Sequence, residues 1–137
     1  MKKKVLIGLV ASVCLAFGAG SFAAGASEFS KVQSYKSGMF TDVAEDAWYA
    51  SSVSNAYELG FMKGTAENAF SPEGNMTAAE AVTIAARVHD AYFAKHTSFS
   101  QDGAHWYDDY VSYATENGIL EPALFDDYDR PATRSEM

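Results

Sequence analysis

The chain has 137 residues and carries 18 acidic side chains against 10 lysines and arginines, a formal net charge of −8. A surface this acidic repels phosphate backbones, which sets nucleic acid aside as a partner, and it keeps a protein soluble in a crowded setting. The single cysteine, Cys14, excludes an internal disulfide.

The first residues predict an address. Lys2, Lys3 and Lys4 form a basic start, residues 5–17 form an apolar run, and Ser21-Phe-Ala23 and Ala24-Gly-Ala26 put small residues where a signal peptidase reads them. An export signal is expected over 1–26, cleaved after Ala23 or Ala26. The apolar run is too short to cross ~30 Å of hydrocarbon comfortably. Cys14 lies inside it, after Val13 rather than the small residue of a lipoprotein signal, so cleavage would remove the only thiol. It would also remove three lysines and no acid, leaving seven cations against 18 acids on a small domain of 111 residues.

Residues 27–38 are polar and aperiodic, and a leader with little fixed structure is expected there. A first unit follows over 39–95. A helix is expected to begin near Ala47 or Trp48, because Val53, Ala56, Tyr57 and Gly60 recur at i, i+3, i+4 and i+7. Gly60 stands where a helix end needs a left-handed residue, with Phe61 as the apolar contact that accompanies it. A loop with Gly64, Pro72 and Gly74 comes next, and its one large apolar residue, Phe70, is expected to plug the gap between two helices. Thr77-Ala-Ala-Glu80 has the spacing of a capping box. It predicts a helix over 78–94, with Ala81, Ile84, Ala85, Val88 and Tyr92 as its buried stripe.

A second unit, 99–137, repeats the first. Trp106, Val111, Ala114 and Gly118 stand 58 positions after Trp48, Val53, Ala56 and Gly60, and Tyr128 stands 58 after Phe70. Thr133-Arg-Ser-Glu136 follows Thr77-Ala-Ala-Glu80 at 56 positions, so the second loop is two residues shorter. A repeat of this length implies units that seal their apolar faces only against neighbours. The second capping box is followed at once by Met137, which reads either as a truncated product or as a site where a partner supplies the missing helix.

Phe40-x-Asp-Val43, Trp48, a helix ending Leu59-Gly60-Phe61, then Gly64, Phe70-Ser-Pro72 and Thr77-x-x-Glu80 together resemble the S-layer homology motif. The resemblance spans residues 40–89 in full and 99–137 in part. It implies a mainly α protein of helix-loop-helix repeats packed as a pseudo-threefold bundle, here one full repeat and one truncated. It also implies an exported, non-enzymatic surface protein without a cofactor. Its partner would be bacterial cell-wall glycan, an anionic and often pyruvylated wall polysaccharide or peptidoglycan. Other S-layer homology repeats, or a second copy of the chain, are the alternative partners, in a self-assembling role without a glycan site; the other alternative is the anchoring fragment of a longer surface enzyme.

In this family the junction usually reads Thr-Arg-Ala-Glu, and its arginine contacts the acidic sugar. The resemblance therefore assigns a contact to Arg134, with Thr133 and Glu136 beside it. A guanidinium grips a carboxylate through two parallel charge-assisted bonds. Ala78 holds the matching place in the first unit and has no donor to offer, while Pro122 replaces the loop glycine of the second. A cation at a helix start costs ~0.3–1 kcal/mol, a mild sign of function at Arg134, whereas Arg87 near a helix end suits the dipole and reads as structural. Asp42 either accepts sugar hydroxyls or caps the turn before Trp48. Trp48 and Trp106 either stack on sugar rings or close the bundle.

Asp126-Asp-Tyr-Asp129 lacks the glycine and distal glutamate of a calcium loop and reads as a solvated acidic loop. His89, His96 and His105 show no metal-ligand spacing. No nucleophile elbow, phosphate loop or metal signature is present to support catalysis.

Overall fold

The structure, a computed structural model, describes residues 29–95, 97–100 and 102–137. The expected export signal lies outside them. The described chain is mainly α, with helices α1 (Ala50–Glu58), α2 (Ala78–Tyr92) and α3 (Asp108–Glu116). No strand occurs among the described residues, only two isolated bridges, Ala66 with Ala69 and Thr77 with Pro131.

α1 starts later than its periodicity suggests. Three-residue turns, Ala47 N–H to Ala44 C=O and Ala50 N–H to Ala47 C=O, carry the chain past Trp48, and Tyr49 caps the helix without a side-chain bond. Its end is as expected. Gly60 adopts φ +75°, its amide donates to Tyr57 C=O, and the Phe61 amide donates to Ala56 C=O, which satisfies two orphan carbonyls of the last turn. The second unit repeats this at α3, through Gly118 to Thr115 and Ile119 to Ala114.

α2 begins on a complete capping box. The Thr77 hydroxyl accepts from the Glu80 amide at 3.2 Å, and the Glu80 carboxylate accepts from the Thr77 amide at 2.8 Å. Its buried residues are Ala78, Ala79, Val82, Thr83 and Ala86. The expected stripe of Ala81, Ile84, Ala85, Val88 and Tyr92 is half-buried to exposed instead. Small and apolar residues occur all round this helix, so periodicity alone picks no face. The partner decides, and the partner is α3.

The helices of one unit do not pair mainly with each other. The substantial helix-helix contact is between α2 of the first unit and α3 of the second. Ala78, Val82, Ala114, Leu120 and Phe125 form one cluster across that contact, and Ala86, Tyr110 and Tyr113 form another. Ala86 and Ala114 are fully buried, and their small side chains let the two axes come close. α1 instead packs on its own loop and entry segment, around Phe40, Val43 and Val53. Phe70 belongs to that cluster, with its ring 5.3 Å from Phe40, so it seals α1 against the entry segment rather than plugging a gap between two helices.

The segment expected to lack fixed structure is pinned along α1. Val32 N–H donates to Glu58 C=O at 2.8 Å, and Lys31 pairs with the Glu58 carboxylate at 2.6 Å. Phe29 meets Phe61 edge-on at 5.1 Å, and Tyr35 lies 6.1 Å from both Phe40 and Tyr57. Phe29 and Tyr35 are the large apolar residues that make this possible. A polar average over 27–38 conceals them.

α2 ends on a non-glycine residue in the left-handed region. Ala94 has φ +48°, and its amide and that of Lys95 close the last turn onto Ala91 and Asp90. Alanine tolerates this conformation less well than glycine. Ala94→Gly is therefore expected to stabilise the chain by about 0.5–1 kcal/mol, read as a higher urea midpoint at unchanged slope.

Candidate functional site

The two Thr-x-x-Glu junctions lie side by side, joined by a backbone seam. The Ala78 amide donates to Arg130 C=O at 3.0 Å, the Ala79 amide to Tyr128 C=O at 2.9 Å, and the Ala132 amide to Met76 C=O at 2.8 Å. The loop of the second unit thus satisfies two of the free amides at the start of α2. At Ala78 the first junction has no side-chain donor, and its backbone donor is occupied.

At the second junction the Glu136 carboxylate accepts from the Thr133 amide and hydroxyl, each at 2.8 Å, and from Arg130 at 2.6 and 3.1 Å. The Arg130 guanidinium also lies over the Phe125 ring at 5.5 Å. The Arg130 bonds, followed by those from Thr133, pull the Glu136 carboxyl down to about 2, and the same pair raises Arg130 above its ordinary value. Thr133 and Glu136 are therefore brought together and engaged with the protein itself. Arg134, between them in sequence, is exposed and makes no hydrogen bond or ion pair among the described residues.

Arg130 was not singled out from the sequence. Its spacing of six from Glu136 fits no local motif, because the pair depends on the turn that the loop makes around Pro131. That turn is fixed by the seam.

Asp42 sits at the entry to the first unit. Its carboxylate accepts from the Phe70 amide at 2.9 and 3.1 Å and from the Ser71 amide at 2.6 Å. The Phe70 bond first, then the Ser71 bond, holds its carboxyl below the ordinary value. Its partners are thus amides 28 and 29 residues downstream, not the turn before Trp48.

Trp48 is 90 % exposed and contacts Tyr49 edge-on, so it does not close a bundle among the described residues. Trp106 is 41 % exposed and leans on Tyr107 and Tyr110.

Residues 40–82 match the S-layer homology domain family. The S-layer protein sap of Bacillus anthracis is 29 % identical over 84 residues, which is 60 % of this chain and 10 % of that protein. The chain carries an S-layer homology segment. It spans about a tenth of the length of this curated relative. No solved structure matches.

Within that S-layer homology segment, Asp42 is the tie between the Phe40-x-Asp-Val entry and the Phe-Ser-Pro loop. A carboxylate held below its ordinary value stabilises the fold above its unfolded value and loses that contribution as pH falls. Asp42→Asn is expected to lower Tm at pH 7, with a gap that shrinks progressively below pH 3.8 as the wild-type carboxylate takes up its proton. Thermal melts of both proteins across pH 2.5–7 check this. A gap independent of pH would assign Asp42 no ionic role.

Proposed function

We propose that this chain is an exported surface protein that holds on to bacterial cell-wall glycan without a covalent bond, and that it binds rather than catalyses. The observation that carries the reading is Arg134, an exposed guanidinium with no hydrogen bond or ion pair among the described residues, in a Thr-Arg-Ser-Glu stretch that resembles the family junction and lies outside the matched residues 40–82. Thr133 and Glu136 spend their polar groups on each other and on Arg130, so their part is to fix the turn that presents Arg134. A guanidinium left free in this way suits a planar acid group, such as a sugar carboxylate or ketal-linked pyruvate.

Trp48 and Trp106 add exposed aromatic faces of the kind that stack on sugar rings. Asp42, with its acceptors turned to the backbone, acts on the site through the loop rather than by touching sugar. The net charge of −8 makes a cation presented outward the natural point of approach for an acidic polymer.

One observation favours a second reading. Ala81, Ile84, Ala85 and Val88 of α2 are apolar and only half-buried, and Ala81 and Ala85 border a cleft of about 150 Å³ lined also by Ala114, Leu124 and Phe125. A self-assembling part, packing on further repeats or on a second copy, would use such residues.

Pulldown on purified wall sacculi separates the two. Retention of the wild-type chain is expected to fall when the acidic polysaccharide is stripped, and Arg134→Ala is expected to weaken retention severalfold on native sacculi. Retention unchanged by stripping would contradict glycan anchoring. Concentration-dependent association in analytical ultracentrifugation, with no sacculus binding, would favour self-assembly.

A further inference from the structure

One cleft lies away from both junctions. It encloses about 650 Å³ between the end of α1, the last turns of α2 and the approach to α3. That is within the ~300–1,000 Å³ usual for small-molecule sites. Arg87, read from the sequence as structural, is half-buried there. Its guanidinium donates to Phe61 C=O at 3.3 Å and to the Tyr110 hydroxyl at 2.9 Å, and it lies 5.1 Å from the Tyr110 ring centre. These contacts fix its plane. A guanidinium has five N–H donors, so some remain for a ligand.

Lys63 lines the same cleft, exposed and without an ion pair among the described residues. Asp90, the acid on this wall, accepts from the Thr97 amide at 3.0 Å. Tyr92 is 50 % exposed, and Phe99 stacks on Tyr110 at 4.4 Å, so rings border the cationic floor. On a chain of net charge −8, a cleft with two cations, one acid and aromatic walls is an exception that calls for a ligand of matching make-up. That ligand has an acid group for Lys63 and Arg87, hydroxyls for the remaining polar groups, and a flat apolar face for a ring.

We propose that this cleft is a saccharide subsite, separate from Arg134, that takes a sugar bearing an anionic substituent. The apolar face of the sugar rests on Tyr92, and its acid group points to Lys63 and Arg87. The proposal rests on the reading that the chain binds wall glycan, and it adds a second point of attachment. Two weak sites on one polymer raise overall retention beyond either alone.

The test uses the full chain on native sacculi and on sacculi stripped of acidic polysaccharide. Lys63→Glu and Tyr92→Ala probe the cleft, Lys36→Glu imposes the same charge change elsewhere on the surface, and circular dichroism checks that each variant keeps its helices. Lys63→Glu and Tyr92→Ala are each expected to lower retention about tenfold, the scale of one lost charge-assisted or stacking contact, with Lys36→Glu close to wild type. Equal losses for Lys63→Glu and Lys36→Glu would reduce the effect to overall charge and overturn the cleft. Loss with Tyr92→Ala alone would overturn the acidic substituent. Unchanged retention for both cleft variants, with the wild type still bound, would overturn the subsite and leave glycan anchoring standing. A wild type that native sacculi do not retain would overturn both.

Discussion

The arrangement depends on how the first turn of α2 is satisfied. A helix start leaves four amides without partners. Here the Thr77 hydroxyl takes the Glu80 amide, while carbonyls of Arg130 and Tyr128 take those of Ala78 and Ala79. Those carbonyls come from a loop about fifty residues downstream, so α2 is completed only when the second unit is in place. The fully buried Ala86 and Ala114 extend the same dependence along the helix pair. Each repeat contributes one helix of the pair, and this helix pairing runs between repeats, while α1 packs within its own.

That exchange explains the division of the core. α1, with nine residues, is below the length at which an isolated helix persists in water. It is held by the Phe40, Val43 and Val53 cluster, by the Asp42 tie to the loop, and by the Phe29–Tyr35 stretch that covers its outer side. α2 and α3 share the larger clusters instead. Arg87 bridges the two regions, donating to Phe61 of the α1 unit and Tyr110 of α3. The residue that stitches the regions together thereby becomes the floor of the cleft between them.

Local signals were legible in the sequence and non-local ones were not. The capping box at Thr77, the Gly60 and Gly118 helix ends and the 58-residue offset all rest on spacings within a few turns or on direct repetition, and all describe real elements. The buried face of α2 was misjudged because alanine and valine occur on both sides and the deciding surface belongs to α3. The segment 29–38 was misjudged because two aromatic anchors outweigh a polar average. At the candidate site, the sequence could mark Arg134, Thr133 and Glu136 by their motif. It could not show Arg130 closing on Glu136, nor Lys63, Arg87 and Tyr92 bordering one cleft, since these depend on where separate segments meet. The second tryptophan reading failed at Trp48, whose ring stays in solvent.

The proposed function draws on what the seam leaves over. Backbone groups of the first junction are consumed by the second unit, and at the second junction the side chain of Arg134 stays outside. The central claim is that α2 gains its order from the second unit. Native-state hydrogen exchange tests it most directly. The account predicts that α2 amides, with those of Ala78 and Ala79, open together with the amides of α3 and at the same free energy. If α2 instead opened together with α1 while α3 stayed protected, the cross-repeat pairing would be contradicted.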